Sequence, residues 1–132
     1  MREDGRADGS SVQAVGIVLI DDDDTSREVL TALLRAAGYR IHAFPAVGRD
    51  VIAALRTTTR PCIVLLDASL PGLDGVSLGR TLAGDPALRH VRILLLTDQP
   101  LETTPAWAAG LLPKPLSPRD LLAAIERHCA TG

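Results

Sequence analysis

Five polar residues of this chain are placed to do chemistry together: Asp21, Asp22, Asp67, Thr97 and Lys114. Each stands at or just past the end of a short apolar run. Ile17-Val18-Leu19-Ile20 leads into Asp21 and Asp22, and Ile63-Val64-Leu65-Leu66 leads into Asp67. Ile93-Leu94-Leu95-Leu96 leads into Thr97, and Leu111-Leu112 comes just before Lys114. Such runs read as buried strands of a parallel sheet, covered on both faces. In an open α/β sheet the carboxyl ends of the strands share one edge, and ligands bind there. Three carboxylates, a hydroxyl and an ammonium therefore converge.

Carboxylates packed a few ångströms apart repel and raise one another's pKa. A hard divalent cation resolves that conflict. Mg²⁺ takes oxygen ligands, binds one or two carboxylates directly, and leaves its other positions to water and phosphate oxygens. Such a site suits phosphoryl transfer to a carboxylate, a covalent form in which aspartate is an established nucleophile. A lysine and a threonine hydroxyl then bind the remaining phosphoryl oxygens. Taken singly, each residue has a plainer reading. Asp67 starts a turn before Leu70-Pro71-Gly72, Asp21 to Asp24 form a solvated acidic loop with one capping residue, Thr97 ends a strand, and Lys114 is a surface lysine. Their shared placement at strand ends argues against all four at once.

The elements that must position these residues alternate along the chain. After the first strand, Thr25 to Ala37 carries Val29, Leu30, Leu33, Leu34 and Ala37 on one helical face, with Asp24 as N-cap and Gly38 as stop. Arg40 to Phe44 alternates polar and apolar, as a half-exposed edge strand does. Pro45 opens a helix over 46–56, with Val47, Val51, Ile52 and Leu55 inward. Cys62 to Leu66 is the third strand. A short helix over 75–83 follows, with Val76, Leu78 and Leu82 apolar, then a turn at Asp85-Pro86 and the fourth strand. Thr103 to Ala109 makes at best two helical turns, weakened by Pro105, and Leu111-Leu112 is a very short fifth strand. Ser117-Pro118-Arg119-Asp120 starts the last helix, which runs to about Cys129 and buries Leu121, Leu122, Ile125 and Cys129. Five strands alternating with helices predict an α/β fold, a parallel sheet with helices on both faces.

Composition narrows the function. The chain has 132 residues, enough for one domain with a real core, and residues 1–13 are polar and glycine-containing, which predicts a disordered tail before a domain over 14–132. Hydrophobic residues make up 46% and aromatics 2%, so the core must be aliphatic. The net charge of −2, with no Lys/Arg cluster, argues against a nucleic-acid partner, and the lack of aromatics removes base-stacking platforms. No apolar run approaches the ~18–20 residues of a membrane span. The N-terminus lacks the apolar core of a secretory signal. Cys62 and Cys129 have no metal or redox spacing and read as small buried hydrophobes in a reducing cytoplasm.

In combination these motifs resemble a response-regulator receiver domain of two-component signalling, over about Val15 to Cys129. Val18-Leu19-Ile20-Asp21-Asp22-Asp23 resembles the strand that ends in the family's acidic pair. Asp67-Ala68-Ser69-Leu70-Pro71-Gly72-Leu73-Asp74-Gly75 resembles the phosphoacceptor strand end and its loop. Leu94-Leu95-Leu96-Thr97 and Lys114-Pro115 match the hydroxyl-bearing strand and the lysine-proline pair. The resemblance implies a flavodoxin-like doubly wound sheet of order 2-1-3-4-5 and a cis Lys114-Pro115 bond. It implies that Asp67 accepts a phosphoryl group from a histidine kinase or phosphotransfer protein. Asp22 would hold Mg²⁺ directly, Asp21 mainly through water, and the Ser69 carbonyl and Asp67 would be further ligands. Thr97 and Lys114 would bind phosphoryl oxygens, and the modified domain would switch its binding to an unidentified downstream protein in the cytoplasm. The chain would not be an enzyme beyond its own phosphorylation and autodephosphorylation.

The departures from the family lie between Thr97 and Lys114. Leu111 stands where the family's aromatic switch is usual, and Leu116 where an aromatic usually follows lysine-proline. Asp98 replaces the usual small residue, and the short interval predicts little of the usual fourth helix. Two alternatives follow. One is a receiver-like protein-interaction module that is not phosphorylated. The other is a haloacid-dehalogenase-like phosphatase, because Asp21-x-Asp23-x-Thr25 after a buried strand also fits that family's motif with Asp21 as nucleophile. Against the phosphatase, only Asp120 and Glu126 follow Lys114, so no later acidic strand end completes its metal site.

Overall fold

The computed structural model describes residues 16–46, 48–57, 61–68, 79, 82, 84–88, 91–98 and 104–130. Within them, five parallel strands form one sheet of order β2-β1-β3-β4-β5. They are β1 (Gly16–Ile20), β2 (Arg40–Phe44), β3 (Pro61–Asp67), β4 (Arg92–Thr97) and β5 (Gly110–Pro113). Three helices are described in full: α1 (Asp24–Ala36), α2 (Arg49–Thr57) and α3 (Pro118–Ala130). A 3-10 turn spans Pro86–Leu88, and Gly79 and Leu82 are helical. The strand order and the cis Lys114-Pro115 peptide are as expected. The expected tail over 1–13 and the positions Val47, Ser69, Val76 and Leu78 lie outside the described residues, as do the side chains of Cys62 and Cys129.

Successive strand residues point to opposite faces, and the apolar runs fill both. Ile17, Leu19, Ile63, Leu65, Leu94 and Leu96 pack with Leu30 and Leu34 of α1 and Leu121, Ala124 and Ile125 of α3. Val18, Ile20, Val64, Leu66, Ile93 and Leu95 pack on the other side with Val51 and Leu55 of α2, Leu82 and Leu88. This two-sided burial is why the strands read as continuous apolar runs rather than alternating ones. β2 lies at an edge and alternates only over its first half, with Ile41 buried between exposed Arg40 and His42, while Ala43 is exposed and Phe44 half-buried.

The structure corrects several local expectations. Asp23, not Asp24, caps α1: its side chain accepts the Ser26 N–H at 2.9 Å. Val29 is 59% exposed rather than inward. A helix turns about 100° per residue, which puts Val29 beyond the stripe of Leu30, Leu33 and Leu34; Ala37 is exposed as well. Gly38 does stop the helix, at φ +99°. Pro45 does not open α2. The Phe44 carbonyl accepts the Asp21 N–H at 3.1 Å, so β2 stays extended to Phe44, and the chain turns before α2 begins at Arg49. The Gly48 carbonyl accepts from Val51 and Ile52 instead. Among residues 104–109 there is no helix, only a turn in which the Ala108 N–H reaches the Pro105 carbonyl at 3.0 Å. β5 is longer than Leu111-Leu112, and Ala109 extends its pairing by donating to the Ile93 carbonyl at 2.7 Å. Ser117 and Pro118 start α3 as expected, with the Leu121 N–H on the Ser117 carbonyl at 2.9 Å.

Trp107, the single tryptophan of the chain, is half-buried on the α2 side of the sheet near Leu111. Its six-membered ring sits against Gly79, in the space a Cβ there would occupy. An aromatic thus does enter this part of the core, from the turn before β5 rather than from position 111. Gly79→Val is expected to push the ring toward water and to cost about 1–3 kcal/mol by overpacking. Urea unfolding measures the cost, and a red shift of the tryptophan emission in the folded state reports the displaced ring.

Candidate functional site

The sheet register brings the predicted residues together. Ile20 pairs with Leu66, Asp67 with Leu96, and Thr97 with Pro113, so the strand ends are level to within about one residue. Asp21 directly follows β1, Asp67 and Thr97 close β3 and β4, and Lys114 directly follows β5. Lys114 is tied to its neighbour strand by its own N–H, which donates to the Thr97 carbonyl at 2.8 Å.

Asp21 and Asp67 are the buried polar residues of the described core, 1% and 2% exposed. Asp22 is exposed. One carboxylate oxygen from each of the three lies within 4.8 Å of the others. Lys114 Nζ is 3.2 Å from Asp67 Oδ2, and it supplies one positive charge against three acids. Burial pushes the Asp21 carboxyl above its ordinary range. The hydrogen bond from the Asp23 N–H opposes that shift, the Asp67 charge adds to it, and Lys114 partly offsets it. Asp23 moves the other way, lowered mainly by the Ser26 N–H it accepts.

The donor set fits Mg²⁺. Asp21 Oδ2 is buried and has no hydrogen-bond partner. An orphaned buried carboxylate oxygen is costly, and a cation held jointly with Asp22 and Asp67 removes the cost. The oxygens-only chemistry and the exposed Asp22, which keeps one side open to water and phosphate, suit Mg²⁺ better than a softer metal. Ser69 is outside the described residues.

Sequence reasoning missed Arg27. Its guanidinium donates to the Asp21 carbonyl at 3.0 Å through one nitrogen and pairs with Asp24 through another. An arginine one turn into a helix has no signal of its own in sequence. The contact exists because α1 starts so soon after β1 that its first turn folds back over the strand end.

A family model described as the response regulator receiver domain matches residues 17–126. Protein PilH of Pseudomonas aeruginosa is 31% identical over 115 residues, covering 83% of this chain and 93% of PilH. The phosphate regulon transcriptional regulatory protein PhoB of the same organism is 30% identical over 115 residues, covering 83% of this chain and 49% of PhoB. The chain thus spans about half the length of PhoB. Among solved structures, the receiver domain of the Pseudomonas aeruginosa sensor histidine kinase PA1611, with a magnesium ion coordinated in its active-site cleft, is 28% identical. It matches with a TM-score of 0.75 over 87% of this chain and 97% of its own. No helix among the described residues is long and apolar enough to cross a membrane.

Proposed function

This chain belongs to the response regulator receiver domain family of two-component systems, and from that premise we propose that Asp67 is its phosphoacceptor. The observation that carries the reading is the Lys114–Asp67 pair at 3.2 Å beside the unpartnered Asp21 Oδ2. A buried nucleophile thus has a fixed cation at one side and a cation-seeking acid at the other. Asp21, Asp22 and Asp67, with the Ser69 carbonyl, would hold Mg²⁺. When bound, the metal offsets the charge of the acids and of the incoming phosphoryl oxygens.

The residues of the chain do the remainder. An Asp67 oxygen attacks phosphorus, the bond to the donor histidine nitrogen breaks, and the imidazole leaves with the electron pair. Lys114 stays beside Asp67 and takes up the negative charge of the transferred group, with the Thr97 hydroxyl as a second ligand. The donor is a histidine kinase or phosphotransfer protein, and the output is altered docking to a downstream protein in the cytoplasm. The domain is a signalling module whose chemistry is confined to its own modification and its reversal.

Incubation with acetyl phosphate and Mg²⁺, read by intact mass, tests this. A phosphoryl adduct is expected on the wild type and not on Asp67→Asn. An adduct mapped to Asp21 would transfer the assignment to the phosphatase alternative. No adduct on the wild type, with no spectral change on adding beryllofluoride, would leave an interaction module without phosphorylation.

A further inference from the structure

Asp21 is tethered at nearly every polar atom. Its N–H donates to the Phe44 carbonyl at 3.1 Å, its Oδ1 accepts the Asp23 N–H at 2.9 Å, and its carbonyl accepts from Arg27 at 3.0 Å. Oδ2 alone has no partner, and it is buried. Two of these tethers come from neighbouring backbone. The third comes from a side chain six residues on, whose own orientation is fixed by Asp24. Arg27 is mostly covered, with its side chain 20% exposed, whereas Asp24 is 80% exposed.

The two obvious accounts of Arg27 predict opposite results. As a charge near an acidic cluster, it repels an incoming cation and weakens cation binding. As a clamp on the Asp21 carbonyl, it fixes the peptide that joins Asp21 to Asp22 and so fixes where both carboxylates start. The geometry favours the clamp. One nitrogen is spent on the carbonyl and another on Asp24, and a guanidinium so engaged cannot swing toward the acids without breaking both bonds.

We propose that Arg27 is a positioning residue for the divalent cation of this site, holding the Asp21 carbonyl so that Oδ2 faces Asp67 and Asp22 flanks it. The proposal rests on the phosphoacceptor reading, which supplies the cation. It adds a residue that lies on α1, outside the five strand-end positions.

Mg²⁺ titration by calorimetry of the whole chain tests it, with each protein held well below its unfolding midpoint. Arg27→Gln is expected to bind Mg²⁺ about tenfold more weakly, the size of effect typical of a lost outer partner of a metal ligand. Arg27→Lys keeps the charge but not the two-pronged geometry, and is expected to bind roughly threefold more weakly. Tighter or unchanged binding by Arg27→Gln overturns the proposal while leaving the phosphoacceptor reading intact. If Arg27→Gln does not fold, Arg27→Lys decides: wild-type affinity in that variant means that charge alone matters, and the proposal fails. A wild-type chain that takes up no Mg²⁺ at millimolar concentrations overturns the phosphoacceptor reading, and this proposal with it.

Discussion

Lys114→Gln is expected to lower stability by about 1–3 kcal/mol at pH 7 without divalent cations, and to tighten Mg²⁺ binding several-fold. The first effect follows from Asp67, which is 2% exposed and loses the ammonium 3.2 Å away. Removing one partner of a fully buried pair costs roughly 3–5 kcal/mol. Lys114 itself is 27% exposed, so water screens part of the interaction and the lower figure applies. The second effect has the opposite sign because the same three acids then meet a cation with no fixed competitor. Urea unfolding in EDTA measures the first, and the rise in unfolding midpoint with added Mg²⁺ measures the second. The variant should also lose most of its acetyl-phosphate adduct, since the transferred group would have no ammonium beside it. Equal stability of variant and wild type in EDTA would mean that the pair contributes nothing net to the fold.

Asp21→Asn should do the reverse to the fold. The folded state raises the Asp21 pKa, mainly by burial, so folded chains bind this proton more tightly than unfolded ones. Linkage then fixes the sign. Below the ordinary value of 3.8 the group is protonated in both states and carries no penalty. As pH rises past 3.8 the unfolded chain ionises first and gains, so the fold loses stability up to the raised pKa, and the penalty is constant above it. Asparagine never ionises, and its amide can donate where Asp21 Oδ2 now has no partner. At pH 7 without Mg²⁺ the variant should therefore be more stable than wild type by about 1–3 kcal/mol, the usual cost of an unsatisfied buried group. The gain should shrink toward zero as pH falls toward 3.8. Mg²⁺ should raise the midpoint of the variant less than that of the wild type, because one of the three carboxylates is gone. A gain that is flat with pH would show that packing, and not the carboxyl's charge, causes it.

These two expectations depend on residues that sequence patterning alone picked out. Asp67 was legible because an apolar run that stops abruptly at a charge leaves few places for the charge to go, and Lys114 because only Pro113 separates it from the short run Leu111-Leu112 and Pro115 follows it. Two-sided burial made the strands legible as well: Leu65 and Leu66 are both fully buried, one in each layer. What patterning did not show was tertiary in origin. Four consecutive aspartates at 21–24 are equally good caps by type, and Asp23 is chosen because its N–H already bends back to Asp21. β2 stays extended through Phe44 because the Phe44 carbonyl accepts the Asp21 N–H, a pairing across strands that no local rule around Pro45 contains. Arg27 and Trp107 each act through a partner far off in the pattern: a strand-end carbonyl for one, a bare glycine surface at Gly79 for the other.

The strand order has one more consequence. Asp67 closes β3, which has two strands on either side of it, whereas Lys114 follows β5, a four-residue strand at the sheet margin. Backbone amides of a central strand exchange with solvent only when much of the fold opens, while those of a short marginal strand exchange through local fraying. The two charges that face each other across the site are thus moored to parts of the molecule with very different lifetimes. Deuterium uptake should be slowest in 63–66 and distinctly faster in 110–112. On that expectation Asp67 keeps its place during excursions that carry Lys114 away, so the pair comes apart from one side and reassembles around an acid that has not moved.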